Sequence, residues 1–215
     1  MLWLASGLYM VLLDIDFIHG DSLVRRTQQT VTVPDPGLLS IAGLRQRYKD
    51  INQIGLRPVM GKTFYTVTTA GTRYLVDPAT GAVRSPLDEG TATDIARYHF
   101  NGDAAVSKAT LISSDPPQEI QTRSLPLWRI DFDDRFATSF YIDPYTGALV
   151  TRRHRYWRIF DFMWMLHIMD YDERSDAHNP LLITAQVSGL TFAISGAWLL
   201  FYSFSGRRKR GTDND

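Results

Sequence analysis

The longest apolar stretch of the chain lies near its C-terminus, where no charged residue occurs between Asn179 and Arg207. Roughly 20 apolar residues suffice for a helix to cross the hydrocarbon core of a bilayer, so this stretch is long enough. Asn179 is a residue type that caps helices, and four basic residues, 207–210, follow the apolar stretch. The pattern predicts a transmembrane helix over residues 180–205 and a basic tail, 206–215, that stays in the cytoplasm.

Small residues recur at every fourth position of this helix, namely Ala185, Gly189, Ala193 and Ala197. Small side chains at this spacing let a second helix approach closely. We therefore expect this face of the helix to pack against another membrane helix.

A second apolar segment runs from Leu2 to Leu13, and two carboxylates, Asp14 and Asp16, interrupt it. It is too short to span a bilayer, and no basic residue precedes it as in a signal peptide. We interpret residues 1–19 as a first transmembrane helix whose upstream part is missing, with a short signal-anchor as the alternative. Because the basic tail is cytoplasmic, we expect the residues between the two helices to lie outside the cytoplasm.

A ten-residue pattern occurs twice between these segments. Residues 74–83 read Tyr-Leu-Val-Asp-Pro-Ala-Thr-Gly-Ala-Val, and residues 140–149 read Phe-Tyr-Ile-Asp-Pro-Tyr-Thr-Gly-Ala-Leu. Asp accepts hydrogen bonds from the backbone of a turn, Pro presets the turn, and Gly supplies a left-handed conformation at its exit. Each copy therefore predicts a strand, a tight turn and a second strand. We expect a structural role for the turn residues Asp77, Pro78, Gly81, Asp143, Pro144 and Gly147.

A helix and a strand are predicted before each copy. Residues 38–48 and 91–100 have apolar side chains at helical spacing, and residues 63–69 and 127–132 alternate as strands do. A Pro-Asp-Pro-Gly turn over 34–37 precedes the first helix. The fold class is therefore α+β, with two copies of one unit over residues 20–89 and 90–153.

This order of elements resembles the PepSY domain, in which a helix is followed by strands that end in the Asp-Pro-x-Thr-Gly turn. Two such units, followed by Trp-Arg-Ile-Phe-Asp-Phe-Met-Trp-Met-Leu-His over 157–167 and an apolar helix, resemble the PepSY-associated transmembrane family. The resemblance implies two tandem PepSY-like units, each a helix packed on a small antiparallel sheet, between two transmembrane helices. It also implies a bacterial inner-membrane protein whose main domain is periplasmic and has a non-catalytic binding or regulatory role toward a membrane or periplasmic protein partner.

The segment 154–172 is rich in Trp, Tyr and Phe, and we expect it to form a helix at the outer membrane interface. Three methionines and His167 invite a metal site, because thioether and imidazole are soft ligands. On a helix, however, only Met163 and His167 share a face. We therefore expect no metal site there.

A haem-containing redox subunit is the alternative function. The resembled family has larger members of the ferric-siderophore-reductase type, which carry haem b between membrane helices. No histidine lies in the two apolar segments, so His19 and His167 are the only plausible pair of haem ligands. This alternative implies a role in iron uptake or transmembrane electron transfer; otherwise we expect no cofactor.

The composition excludes several of the remaining kinds of catalytic and metal site. The chain has no cysteine, which excludes thiol catalysis and thiolate metal sites, and its formal net charge of zero gives no reason to expect a nucleic-acid partner. It contains no His-Glu-x-x-His, phosphate-binding loop or Gly-x-Ser-x-Gly motif. We expect no catalytic residues, and a binding protein in contact with the lipid bilayer fits better than an enzyme; an enzymatic role would be that of an oxidoreductase.

Overall fold

A computed structural model describes residues 2–26, 30–31, 38–172, 174 and 176–210, which belong to two compact units. One unit is Leu13–Ile159, and the other combines Met1–Leu12 with Phe160–Asp215. The turn predicted over 34–37 and the last five residues of the tail lie outside the described residues.

The unit Leu13–Ile159 contains two small antiparallel sheets and the helices that flank them. Helix α1 (Leu2–Leu12) belongs to the other unit. The elements of Leu13–Ile159 follow it in chain order: α2 (Ile15–His19), the 3-10 helix η1 (Asp21–Leu23), α3 (Ile41–Arg47), β1 (Ile51–Val59), β2 (Lys62–Thr69), β3 (Arg73–Val76), α4 (Glu89–His99), β4 (Val106–Ile112), the 3-10 helix η2 (Gln118–Ile120), β5 (Leu127–Phe132), β6 (Ser139–Ile142), β7 (Leu149–Arg153) and the start of α5 (Arg155–Ile168). The sheet orders are β1-β2-β3 and β4-β5-β6-β7. The α+β fold class predicted from the sequence is confirmed.

The two copies of the sequence pattern occupy equivalent places in the two sheets. In the first sheet Tyr65 pairs with Val76, and in the second Trp128 pairs with Ile142. Val76 is followed by Asp77 and Ile142 by Asp143, the residues with which the two Asp-Pro-x-Thr-Gly turns begin. The chain then returns to the sheet, as an isolated bridge from Val83 to Val76 in the first copy and as β7 in the second. We call α3 with the first sheet the first repeat, and α4 with the second sheet the second repeat.

Both helices begin at a side-chain cap. The Ser40 hydroxyl accepts a hydrogen bond from Gly43 N at 3.1 Å, and the Asp88 carboxylate accepts one from Thr91 N at 2.7 Å. The cap of α4 is therefore Asp88, and α4 begins at Glu89, ahead of the predicted helix start at 91 and of the boundary placed between residues 89 and 90. The sequence also did not predict β1 and β4, because each is an edge strand without strict alternation of apolar and polar residues.

The repeats pack in layers. Leu44 of α3 packs on one face of the first sheet, against Tyr65, Val67 and Val76. Helix α4 lies between the sheets in a shared core. Its buried members come from both sheets, from α4 and from the residues next to the ends of α4: Val59, Leu75, Leu87, Ala92, Ile95, Ala96, Phe100, Ile130, Phe132, Phe140 and Ile142. A smaller cluster of Ile120, Leu127 and Tyr141 covers the far face of the second sheet. The second repeat therefore buries the face of the first sheet that α3 leaves open.

The other unit contains α1 (Leu2–Leu12), the C-terminal part of α5 and α6 (Pro180–Arg210). Asn179 caps α6, since its side-chain oxygen accepts a hydrogen bond from Leu182 N at 2.9 Å. Within α6, 25 residues, Pro180–Phe204, meet the length and composition expected of a membrane-crossing helix, whereas α1 is a shorter apolar helix. The face predicted to pack against a second helix is open at Gly189, where an added Cβ would have no neighbour within 4 Å among the described residues.

Candidate functional site

The two turn carboxylates are engaged in the contacts that the turns require. Asp77 Oδ1 accepts hydrogen bonds from Ala79 N at 3.2 Å and Thr80 N at 3.0 Å, and Asp143 Oδ1 accepts them from Tyr145 N at 2.7 Å and Thr146 N at 3.3 Å. The glycines that end the turns, Gly81 and Gly147, have φ angles of 71° and 64°. These left-handed conformations favour Gly at the exit of the turn.

The backbone carbonyl of the turn proline also accepts an equivalent hydrogen bond in both repeats. Pro78 O accepts a hydrogen bond from Leu39 N at 2.7 Å, and Pro144 O accepts one from Leu87 N at 2.8 Å. Leu39 and Leu87 each directly precede the cap of a helix. Each turn is thereby tied to the helix of its own repeat.

The second oxygen of each carboxylate forms an ion pair, but with different partners. Asp77 pairs with Arg84 of its own repeat at 3.2 Å, whereas Asp143 pairs with Arg73 of the other repeat at 3.2 Å. The backbone hydrogen bond from Thr80 is the main reason that the pKa of Asp77 is lowered, and Arg84 adds to this effect against the opposing influence of burial. Asp77 is therefore an ionised acceptor at neutral pH rather than a proton donor.

A cavity of about 350 Å³ opens beside the first turn, and we call it the first notch. Its lining residues come from the β1–β2 connection, from β2 and from the Asp-Pro-x-Thr-Gly turn: Gly61, Lys62, Thr63, Phe64, Asp77, Pro78 and Ala79. A second cavity of about 340 Å³ shares Lys62, Phe64 and Asp77 with it and is also lined by Arg84. The notch therefore combines an apolar lining, which includes Phe64, with the charged side chains of Lys62 and Asp77.

The far face of the second sheet carries a half-buried polar network. Arg158, at the start of α5, donates to Glu119 Oε2 at 2.7 Å from Nε and to Glu119 Oε1 at 3.1 Å from Nη2. Arg158 also donates to Ala137 O at 2.7 Å and to Ser139 Oγ at 2.8 Å. The Tyr141 hydroxyl donates to Glu119 Oε1. This network fixes the first turn of α5 on the second sheet.

The network keeps Glu119 ionised. Burial, the largest single influence, raises its pKa, but the hydrogen bonds from Arg158 and Tyr141 and the charges of Arg158 and Arg129 outweigh burial and lower the pKa. Burial and the hydrogen bond to Glu119 both raise the pKa of Tyr141, so the phenol remains protonated. Neither group is suited to exchange a proton near neutral pH.

His154 lies between β7 and α5 and is 1% exposed. Its Nε2 lies 3.1 Å from Phe17 O and 3.0 Å from Ile18 O, and because a carbonyl can only accept, Nε2 carries the proton. Within the described part of the chain, Nδ1 forms no hydrogen bond. Burial lowers the pKa of this imidazole, against the opposing effect of the two carbonyls. His154 thus holds α2 against the end of the second repeat.

The two histidines predicted as alternative haem ligands belong to different units. His19 is exposed in the unit Leu13–Ile159, where its carbonyl accepts a hydrogen bond from Arg152. His167 belongs to the other unit, where its ring is stacked on Trp3 with centroids 5.0 Å apart. Its Nδ1 lies 3.3 Å from both Trp3 O and Ser6 Oγ, and an added Cβ at Gly7 would approach Cε1 to 2.9 Å. The ring is therefore held between α1 and α5.

Sequence reasoning missed Glu119, Tyr141, Arg158 and His154 as structural groups. These residues are far apart along the chain, and none belongs to a motif with its partners. Glu119, Tyr141 and Arg158 meet only because the chain returns from β7 into α5, and His154 meets α2 only through the tertiary fold.

Comparison of the chain with protein-family models, with curated proteins and with solved structures finds no match.

Proposed function

We propose that this chain is a bacterial inner-membrane protein that presents tandem PepSY modules to the periplasm and binds or regulates a membrane or periplasmic partner without catalysis. The observation that carries the proposal is the exposed apolar surface of α6. Its 25 residues from Pro180 to Phe204 are predominantly apolar and contain no charged residue, and none of the most apolar window is buried by the rest of the described chain. So much exposed apolar surface is unfavourable in water and is matched by a bilayer.

The two repeats support the binding part of the proposal. Their turn carboxylates, Asp77 and Asp143, are engaged in turn hydrogen bonds and ion pairs, as a structural role requires. The two repeats contact each other within the chain through the turn of the second repeat, since Arg73 forms an ion pair with Asp143. A fold that uses such a surface internally is suited to use it toward a partner as well.

The orientation is tested with reporter fusions to the full chain. A reporter after Asp215 is expected to be active only in the cytoplasm, and one inserted at 101–103, between α4 and β4, only in the periplasm. Carbonate extraction should leave the chain in the membrane pellet. The reversed reporter pattern, or release of the chain by carbonate, would contradict the proposal.

A haem-bearing redox subunit is the second candidate function, and the geometry of His167 is the observation that favours it. Because Trp3 O can only accept, Nδ1 carries a proton toward it, and this arrangement orients the ring as metal-ligating histidines are oriented. Of the two histidines that the described residues of this unit contain, only His167 is held in this way, whereas His178 is exposed on the connector before α6. A Soret band in the purified full chain that disappears in His167→Ala would favour this candidate, whereas a haem-supplemented preparation without a band would exclude it.

A further inference from the structure

Three aromatic rings from separate segments meet at the surface of the unit Leu13–Ile159. Phe17 belongs to α2, Phe136 to the loop between β5 and β6, and Tyr156 to the first turn of α5. The Tyr156 ring centroid lies 5.2 Å from that of Phe17 and 6.1 Å from that of Phe136. The backbone N–H of Arg155 donates to Phe136 O at 2.7 Å and so ties the loop to the start of α5. We call these three rings the aromatic face.

The aromatic face has a buried base and an open surface. The buried ring of His154 lies beneath it, 5.7 Å from the centroid of Phe17, 6.4 Å from that of Phe136 and 6.2 Å from that of Tyr156. Phe17 and Tyr156 are nevertheless 37% and 39% exposed. Ile159, three residues after Tyr156 and hence on the same side of α5, is exposed as well. Apolar side chains gathered on an open surface mark a site of interaction.

The position of this face along the chain indicates what covers it. The chain enters the unit between residues 12 and 13 and leaves it between residues 159 and 160. Phe17 follows the first crossing closely, and Tyr156 precedes the second by about one helical turn. Just before the first crossing, Val11 and Leu12 of the apolar helix α1 are 84% and 72% exposed. Under the proposed function that other unit is the membrane-embedded one, so both crossings, and the aromatic face with them, lie at the membrane surface.

The charges around the face indicate the kind of lipid. The Arg135 guanidinium carbon lies 4.5 Å from the centroid of the Phe136 ring, and Arg155 is exposed beside Tyr156. Exposed carboxylates adjoin the same segments, at Asp14, Asp16 and Asp133. Cations and carboxylates side by side do not favour an anionic surface. They match a zwitterionic headgroup, whose phosphate pairs with guanidinium groups and whose ammonium pairs with carboxylates.

From these observations we propose that the aromatic face binds the surface of a bilayer with zwitterionic headgroups of the phosphatidylethanolamine type. The rings of Phe17 and Phe136 contact the upper acyl chains, and the Tyr156 ring lies at headgroup depth. The Arg135 guanidinium pairs with a lipid phosphate. The loop between β5 and β6 is thereby a membrane contact of the second repeat, separate in sequence from the interfacial helix expected over 154–172. The proposal rests on the proposed function, which supplies the membrane.

The test is fluorescence quenching of single labels on the full chain in phosphatidylethanolamine–phosphatidylcholine nanodiscs. The chain has no cysteine, so one introduced cysteine carries an environment-sensitive fluorophore at a chosen position. Ala137→Cys places the label at an exposed position next to Phe136. The quenchers are a lipid with a nitroxide on its upper acyl chain and iodide in the water.

The matched control is Ala70→Cys, at an exposed position in the hairpin tip between β2 and β3. This tip lines a cavity with Leu125 and Pro126, which precede β5, whereas the loop that contains Ala137 follows β5. The two labels therefore lie near opposite ends of a six-residue strand, about 20 Å apart.

The label at 137 should be quenched by the nitroxide lipid and shielded from iodide, and the label at 70 should show the reverse. Adding Phe136→Ser to the Ala137→Cys variant should remove most of the lipid quenching, because the apolar contact is lost. Phe136→Leu should retain it. Replacing phosphatidylethanolamine with anionic phosphatidylglycerol should not increase the quenching at 137.

A third label, Val187→Cys in the middle of the apolar span of α6, reports membrane insertion independently. If the nitroxide lipid quenches this label while iodide quenches the label at 137 as it does that at 70, the aromatic face is not a lipid contact and the proposed function stands. A label at 187 that the lipid does not quench would overturn both. Shielding of the label at 137 from both quenchers would show that protein covers the face, and stronger lipid quenching in phosphatidylglycerol would overturn the assignment of a zwitterionic surface.

Discussion

Arg73 in the first repeat and Asp143 in the second form an ion pair, with 3.2 Å between Nη2 and Oδ2. The carboxylate side chain is 8% exposed and the guanidinium side chain is 50% exposed, so the pair lies at the margin of the contact between the repeats. Asp143 also accepts two backbone hydrogen bonds within its own turn. One buried carboxylate therefore fixes both the turn and the neighbouring repeat.

Replacement of Arg73 by Ala should lower the free energy of unfolding by about 1 kcal/mol, since solvent screens the half-exposed guanidinium and Asp143 keeps its backbone donors. The measurement is urea unfolding of the full chain in detergent, followed by tryptophan fluorescence. Arg97→Ala is the control, because its pair with Asp94 is exposed on both sides and spans 3.8 Å. Equal effects of the two substitutions would contradict the role of Arg73 between the repeats.

Replacing the turn Asp by Ala should lower the free energy of unfolding by different amounts in the two turns. Asp143→Ala is expected to destabilise the protein by about 2–3 kcal/mol, because it leaves buried backbone donors without an acceptor. Asp77→Ala should cost about 1 kcal/mol, because Ala79 and Thr80 are exposed and water can satisfy their donors. Urea unfolding of both variants measures the difference. A larger cost at Asp77 would show that burial does not control the energetics of these turns.

Glu119 should make stability dependent on pH on the acid side. Because its folded pKa is lowered, its contribution is complete above its ordinary pKa of 4.5 and is lost as the pH falls through the folded value. Glu119→Gln should cost about 2 kcal/mol at neutral pH, since it leaves Arg158 without its carboxylate partner. The variant should also lose less stability than the wild type between about pH 5 and 3. Parallel pH curves for the two proteins would contradict this prediction.

His154 should make stability depend on pH in a second range, at higher pH than Glu119. Its folded pKa lies below the ordinary value of 6.5, so the unfolded chain binds the proton more readily. Its contribution to stability is therefore complete above about pH 6.5 and declines as the pH falls toward the folded pKa. Hydrogen exchange of residues 15–23, which include α2, should accelerate from pH 7.5 to 5.5 after correction for the intrinsic rate. His154→Phe should lose this pH dependence, whereas His178→Gln, an exposed control, should retain it.

Two glycines offer a matched test of packing in the other unit. An added Cβ at Gly7 would approach the His167 ring to 2.9 Å, whereas one at Gly189 would meet nothing within 4 Å among the described residues. Gly7→Ala should therefore weaken the contact of α1 with α5 by about 1–2 kcal/mol, and hydrogen exchange of residues 2–12 should accelerate. Gly189→Ala should leave that exchange unchanged. A Gly7→Ala variant with wild-type exchange would show that the ring moves aside at little cost.

The sequence by itself determined the features that depend on local chemistry. Alternation over 127–132 identified β5 with its observed bounds, and the Asp-Pro-x-Thr-Gly pattern identified both tight turns, because the turn conformation is stabilised by neighbouring residues. The helical span Pro180–Phe204 was equally clear, since length and lack of charge are properties of one continuous segment, but α6 continues to Arg210, into the residues predicted as a tail.

Only the tertiary structure decided which distant residues meet. Arg73 and Asp143 belong to different repeats, and Glu119 reaches Arg158 only because the chain returns from β7 into α5. The edge strands β1 and β4 were not predicted because pairing, rather than alternation, makes them strands.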